Sequence, residues 1–142
     1  MRILYIITQG ENGGAQKNVF DSASAISDSG HEVFVVTGQQ KNKNDQWLFG
    51  KLKEFGFSKE KLSVCEYLAR DISLSKDIRA LIDLYRYITN NRFHIIHLHS
   101  TKAGVLGAVA GKISRFTYYI HSPRVCISRT TVCNQKAILH YS

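Results

Sequence analysis

Three short stretches hold residue types that could do chemistry. The first is Thr8-Gln9-Gly10-Glu11-Asn12-Gly13-Gly14-Ala15-Gln16-Lys17. Glycines in such a loop bring backbone N–H groups close to a ligand, and a helix starting behind them offers partial positive charge to an anion such as a diphosphate. The spacing is neither G-x-G-x-x-G nor a Walker A loop, so neither a dinucleotide nor a P-loop NTPase is indicated, and a plain tight turn would look the same. The second stretch is Phe93-His94-Ile95-Ile96-His97-Leu98-His99-Ser100-Thr101-Lys102-Ala103-Gly104. On a strand His97 and His99 point to one side, as in a two-histidine metal clip, but no third ligand is evident and such a pair is more often plain hydrogen-bonded structure. His99 and Ser100 fall at the strand's carboxyl end and Lys102 opens the next helix, where a cation meets a phosphate or carboxylate. This favours His99 over His97 as the ligand. The third candidate is His121, at the end of the last strand that can be read.

These residues need a scaffold. Arg2 to Ile7 is a short continuous apolar run, expected of a strand buried on both faces of a parallel sheet. From Ala15 to Ser29 the residues Ala15, Val19, Phe20, Ala23 and Ile26 recur at helical spacing, and Gly30 stands as the stop. Glu32–Thr37 reads as a second strand. Lys41–Asn44 reads as a surface loop, Asp45–Phe55 as a short amphipathic helix presenting Trp47, Leu48, Leu52 and Phe55, and Leu62–Tyr67 as a third strand. Ser75–Asn91 is the clearest helix, with Ile78, Leu81, Ile82, Tyr85 and Ile88 forming its apolar stripe, Ser75 as cap and Asp77 in the first turn. Phe93–His99 is a strand. Thr101–Ser114 is a small-residue helix in which Gly104, Gly107 and Gly111 allow close approach, and Thr117–Ile120 starts a fifth strand. Strands alternating with helices predict an α/β fold, a Rossmann-like, doubly wound parallel sheet whose ligands bind beyond the carboxyl ends of the strands.

Composition bounds the rest. The chain has 142 residues, 44% apolar and 21% charged, which suits one globular domain. Cys65, Cys126 and Cys133 have no C-x-x-C spacing, so neither a disulfide framework nor a structural metal is expected, and a reducing compartment fits. No apolar run reaches the ~20 residues of a membrane span. Nineteen Lys and Arg against 11 Asp and Glu give a net charge of +8, pointing to an anionic partner. Charge alone would allow nucleic acid, but no RNP, KH or helix-turn-helix signature is present and the basic residues are dispersed. After Ile120 the text changes: no convincing period, the only proline, and no acidic residue through Ser142.

Taken together, RILYIITQGENGGAQKNVFDSASAISDSGHEVFVVTG and DISLSKDIRALIDLYRYITNNRFHIIHLHSTKAGVLGAVAG resemble the N-terminal domain of GT-B glycosyltransferases of family 4. The resemblance runs over residues 1–120. It implies the acceptor-side half of a retaining hexosyltransferase, metal-independent, with a nucleotide-sugar as donor and no other cofactor. The acceptor would be a glycolipid or polysaccharide, as in capsule, O-antigen or exopolysaccharide synthesis. It also implies a cytoplasmic location with peripheral contact to an anionic membrane face, and no nucleic acid. Residue by residue, Gly13, Gly14 and Gln16 match the loop that approaches donor phosphate, and His99, Ser100 and Lys102 match the motif beside the cleft. His121 falls where the family has a His-Gly turn, but Ser122 follows it here. Permitted codons for Ile120–Ser142, read one nucleotide later, can give YIVHGFAF, which resembles the family's text. Residues 121–142 are therefore expected to be an out-of-frame or disordered tail. The family's second Rossmann domain is not expected within these 142 residues, so no catalytic residue is assigned and the chain alone is expected to be inactive. The alternative is a stand-alone module binding an anionic glycolipid or a complementing chain.

Overall fold

The computed structural model describes residues 1–39, 46–113, 117–122 and 125–128, with side-chain surroundings given as far as Ala110. The Lys41–Asn44 loop, Cys133 and the side chains of His121 and Cys126 lie outside the described residues. The elements follow in the order β1 (Arg2–Ile7), α1 (Gly14–Asp28), β2 (Glu32–Gly38), α2 (Trp47–Phe55), a single 3₁₀ turn (Lys59–Lys61), β3 (Leu62–Cys65), α3 (Leu74–Asn91), β4 (Ile95–Leu98), α4 (Thr101–Ile113), β5 (Thr117–Ser122) and β6 (Val125–Ser128). The sheet order is β3-β2-β1-β4-β5-β6. The strands β1 to β5 are parallel to their neighbours, and β6 returns antiparallel to β5. The sequence reading ended the fold at Ile120; β5 runs on through His121 and Ser122, and β6 lies beyond it.

The helices cover both faces, as a doubly wound sheet requires. Alternation along β1 sends Leu4 and Ile6 to one face, where Phe34 and Val36 of β2 meet Ala80, Leu84 and Ile88 of α3 and Ala103 of α4. Ile3, Tyr5 and Ile7 go to the other face, against Val19 and Ala23 of α1 and Leu48, Phe49 and Leu52 of α2. The central strand is thus apolar on both sides, which is why its sequence is an unbroken apolar run. Gly30 ends α1 at φ 84°, a left-handed conformation that a side chain would strain.

Helix α3 departs from expectation. Its capping position is Ser73 rather than Ser75, and Ala80, Leu84 and Ile88 face the core. Of the apolar stripe read from the sequence, Ile88 is buried and Leu81 partly so, while Ile78, Ile82 and Tyr85 are exposed. The helix carries two adjacent apolar lines, and the sheet takes the one containing the small Ala80, which lets it sit close.

Two buried acids give the fold an alkaline limit. Burial pushes the Tyr5 phenol well above its ordinary value of 10.0, offset in part by a hydrogen bond with Ser22. Burial also raises the Cys65 thiol above 9.0; backbone hydrogen bonds from Leu68 and Tyr67 oppose this, and the charges of Asp83 and Glu66 add to it. In the unfolded chain both groups release their protons first, so above these values the unfolded state binds fewer protons and stability falls as pH rises. The urea midpoint is expected to decline steadily above pH 9.0, and Tyr5→Phe to flatten the part of the decline beyond 10.0. An identical pH profile in the variant would contradict this origin.

Candidate functional site

The strands β2 and β4 flank β1, and the connections from β1 and β4 leave on opposite faces. This reversal opens a crevice at the carboxyl ends of β1 and β4, the position where open α/β sheets bind ligands. Its two lips are the loop after β1 and the turn into α4.

The lips are tied together. Thr8 Oγ1 donates to Ser100 Oγ at 2.8 Å, and the same oxygen accepts from the Ala103 N–H at 3.2 Å, capping α4. The Gly104 N–H closes the first turn on the Ser100 carbonyl at 2.7 Å. On the other lip, Gly13 caps α1 without any side-chain help and Gly14 is its first residue. A Cβ on Gly13 would meet Gln16 Oε1 at 2.7 Å, whereas one on Gly14 would meet nothing within 4 Å. Gln16 folds back over the loop and donates through Nε2 to the Gln9 carbonyl at 2.9 Å. Helix α1 has no acid in its first turn, so no carboxylate of the helix itself offsets the partial positive charge of its N-terminal N–H groups.

Gly13, Gly14, Gln16 and Ser100 therefore gather at the crevice, with Gln16 as a brace. The histidines lie deeper. His97 and His99 do share a side of the sheet, and both rings stack on Tyr5, at centroid distances of 4.8 and 5.4 Å. Both rings are buried. The His99 N–H continues the ladder to the Ile6 carbonyl at 2.8 Å. Among the described residues no group of three His, Cys, Asp or Glu stands where it could share a metal ion.

Lys102 has a partner the sequence did not reveal. Its ammonium lies 2.6 Å from Asp77 Oδ1 in the first turn of α3 and also donates to the Asp71 carbonyl. The cation is thus engaged at the seam between α3 and α4. Gly38 was missed as well: a Cβ there would lie 1.7 Å from the Leu68 carbonyl oxygen and 2.4 Å from that of Thr8. No spacing rule marks this glycine, since its neighbours come from distant parts of the chain. A separate cavity of about 270 Å³, lined by Ser63, Cys65, Glu66, Asp83 and Tyr87 among others, lies between β3 and α3, at the sheet edge away from the crevice.

Comparison with known proteins agrees with this architecture. The Glycosyltransferase Family 4 profile matches residues 12–136. A UDP-Gal:alpha-D-GlcNAc-diphosphoundecaprenol alpha-1,3-galactosyltransferase of Escherichia coli is 38% identical over 55 residues, which are 39% of this chain and 14% of that protein. HepE of Anabaena, solved with UDP and glucose, superposes with a TM-score of 0.63 at 20% identity, over 85% of this chain and 29% of its own. MurG of Acinetobacter baumannii superposes with a TM-score of 0.57 at 14% identity, over 85% of this chain and 35% of its own. The chain thus spans about a seventh of the curated relative and about a third or less of these two structures.

Proposed function

Since the chain belongs to glycosyltransferase family 4, we propose that it supplies the acceptor-side half of a retaining hexosyltransferase. That enzyme takes a sugar from a nucleotide-sugar donor and places it on a glycolipid or polysaccharide acceptor. The observation that carries this reading is the crevice at the β1/β4 reversal, where the Gly13-Gly14 turn and the Ser100 cap of α4 are joined through Thr8. Backbone N–H groups there suit a diphosphate oxygen. The relatives add support: the E. coli enzyme's name gives a UDP-sugar donor and a diphospho-lipid acceptor, and HepE was solved with UDP and glucose. Our reading places the protein in the cytoplasm, touching an anionic membrane face; no helix among the described residues is long and apolar enough to cross a membrane. Transition-state charge in this chemistry is held by donor-side groups that the described crevice does not supply, so the isolated 142-residue chain makes no product. We also retain the proposal that the text after Ile120 is out of frame, which sequencing the locus tests; an intact frame would refute it.

The test uses a substitution that separates folding from binding. Gly14 has open space at its Cβ position and begins α1, where an aspartate favours the helix by about 0.3–1 kcal/mol. Gly14→Asp is therefore expected to fold with unchanged or slightly raised stability while repelling a diphosphate. Titration of the wild-type chain with uridine diphosphate should shift the amide resonances of Gly13, Gly14 and Ser100, and the variant should show no shifts. Absence of any wild-type response, or an undiminished response in Gly14→Asp, would overturn the assignment of this loop. Turnover of a UDP-sugar by the wild-type chain alone would overturn the inactivity.

A further inference from the structure

The cavity between β3 and α3 plays no part in the crevice. Strand β3 is an edge of the sheet, and its Ser63 and Cys65 point to the same face as Val36, the partner of Ser63 in β2. Helix α3 covers that face, and Asp83 and Tyr87, four residues apart on one side of the helix, close the cavity with Leu84. The enclosed volume is about 270 Å³. Pockets for drug-sized ligands run roughly 300–1,000 Å³, so this one suits a smaller molecule. Its floor is Val36 and Leu84, both buried, with Cys65 7% exposed beside them. On the wall, Ser63 Oγ donates to Tyr87 Oη at 3.3 Å, and each of these oxygens keeps a lone pair for a further donor.

The charge of the cavity runs against that of the chain. The net charge is +8, yet the lining holds Glu66 and Asp83 and no Lys, Arg or His. Neither carboxylate forms an ion pair with another of the described residues. Both act at one point: burial is the main cause that holds the Cys65 thiol above 9.0, and the charges of Asp83 and Glu66 add to it. The thiol is therefore neutral at neutral pH. Two aliphatic side chains and a neutral thiol below, with two carboxylates and two hydroxyl oxygens around them, complement a cation that carries a short hydrocarbon. A metal ion does not fit, because among the described residues no group of three His, Cys, Asp or Glu stands where it could share one. We propose that the β3–α3 cavity is a binding site for a small aliphatic ammonium ion, with its charge at Glu66 and Asp83 and its hydrocarbon on Val36 and Leu84. The site is separate from the crevice and does not depend on the function read there. Its occupancy stabilises the fold, since the unfolded chain has no such cavity.

Titration with n-butylammonium chloride at constant ionic strength, followed by amide resonances, tests it. The wild-type chain should show saturable shifts at Cys65, Glu66 and Leu84. Potassium chloride, which has the charge without the hydrocarbon, and n-butanol, which has the hydrocarbon without the charge, should each produce far smaller ones. Glu66→Gln with Asp83→Asn changes only exposed side chains that hold no ion pair, and should weaken n-butylammonium binding about tenfold, with an unaltered thermal melt. Tyr87→Phe should weaken it less, by about two- to fivefold, through loss of one acceptor. Absence of saturable shifts in the wild-type chain would overturn the proposal, as would an undiminished response in the Glu66→Gln/Asp83→Asn chain. An equal response to potassium chloride would also overturn it, since the carboxylates would then only attract counterions. Shifts spread evenly over Glu11, Glu32 and Glu54 as well would count in the same way. The uridine diphosphate titration reads Gly13, Gly14 and Ser100, so the two sites give separate results.

Discussion

A Gly38→Ala chain should be destabilised by about 3 kcal/mol, the upper end of what one inserted methyl costs in a packed interior. Gly38 ends β2 opposite Cys65. The turn after β3 brings the Leu68 carbonyl over it and the end of β1 brings the Thr8 carbonyl beside it, and a Cβ would lie 1.7 and 2.4 Å from those two oxygens. Neither obstacle is the free end of a flexible side chain. Relief requires moving backbone, and Leu68 is itself fully buried. Thr8 also anchors the crevice through Ser100, so any shift that accommodates the methyl pulls on the link between the two lips. Urea unfolding gives the energy, and the amide resonances of Thr8 and Ser100 report the displacement. Gly50→Ala provides the matched control: Gly50 lies inside α2 with nothing near its Cβ position, and the same substitution should stabilise by about 0.5–1 kcal/mol through helix propensity. If both substitutions have the same sign, close packing of backbone at Gly38 is not what requires glycine there.

The contrast between these glycines shows where sequence reading succeeds. The run Arg2–Ile7, the loop at Gly13-Gly14 and the alternation of strands with helices depend on neighbours in sequence, and all were legible there. Gly38 depends on Thr8 and Leu68, which only the folded sheet brings to it. Helix α3 shows a different limit. Periodicity detects an apolar stripe, but a helix with two adjacent apolar lines offers no local sign of which one the sheet takes; the choice of Ala80, Leu84 and Ile88 is made by the packing distance to β1 and β2. The stacking of His97 and His99 on Tyr5 was half legible, since alternation places them on one side, while the strand pairing Tyr5↔His97 is a matter of register. Lys102 was read as a cation at the start of a helix, and so it is. Its partner Asp77 was read too, as a favourable first-turn acid of another helix, but nothing in either local pattern joins the two.

That junction carries the second large effect. Lys102 lies in the first turn of α4, where the helix dipole disfavours a cation, while Asp77 lies in the first turn of α3, where it favours an anion. Removing one partner should therefore be asymmetric. Asp77→Asn leaves a largely buried ammonium at the positive end of α4 with only neutral oxygens, the introduced amide's and the Asp71 carbonyl's, to meet it, and should cost about 2–3 kcal/mol, somewhat below a fully buried pair because both side chains keep some access to water. Lys102→Met leaves a carboxylate that its own helix still stabilises and keeps the packing of the aliphatic stem, so it should cost about 1 kcal/mol. The double variant should be more stable than Asp77→Asn alone, because Lys102→Met removes the stranded charge. A double-mutant cycle by urea unfolding should return a coupling of about 1 kcal/mol or more. The cycle also decides what Lys102 is for. A lysine held free for a donor phosphate would show no coupling to Asp77, and its loss would weaken uridine diphosphate binding without changing stability. A lysine that clamps α4 to α3 would show the coupling, and Lys102→Met would leave the nucleotide response of Gly13 and Gly14 in place. The 2.6 Å contact predicts the second result.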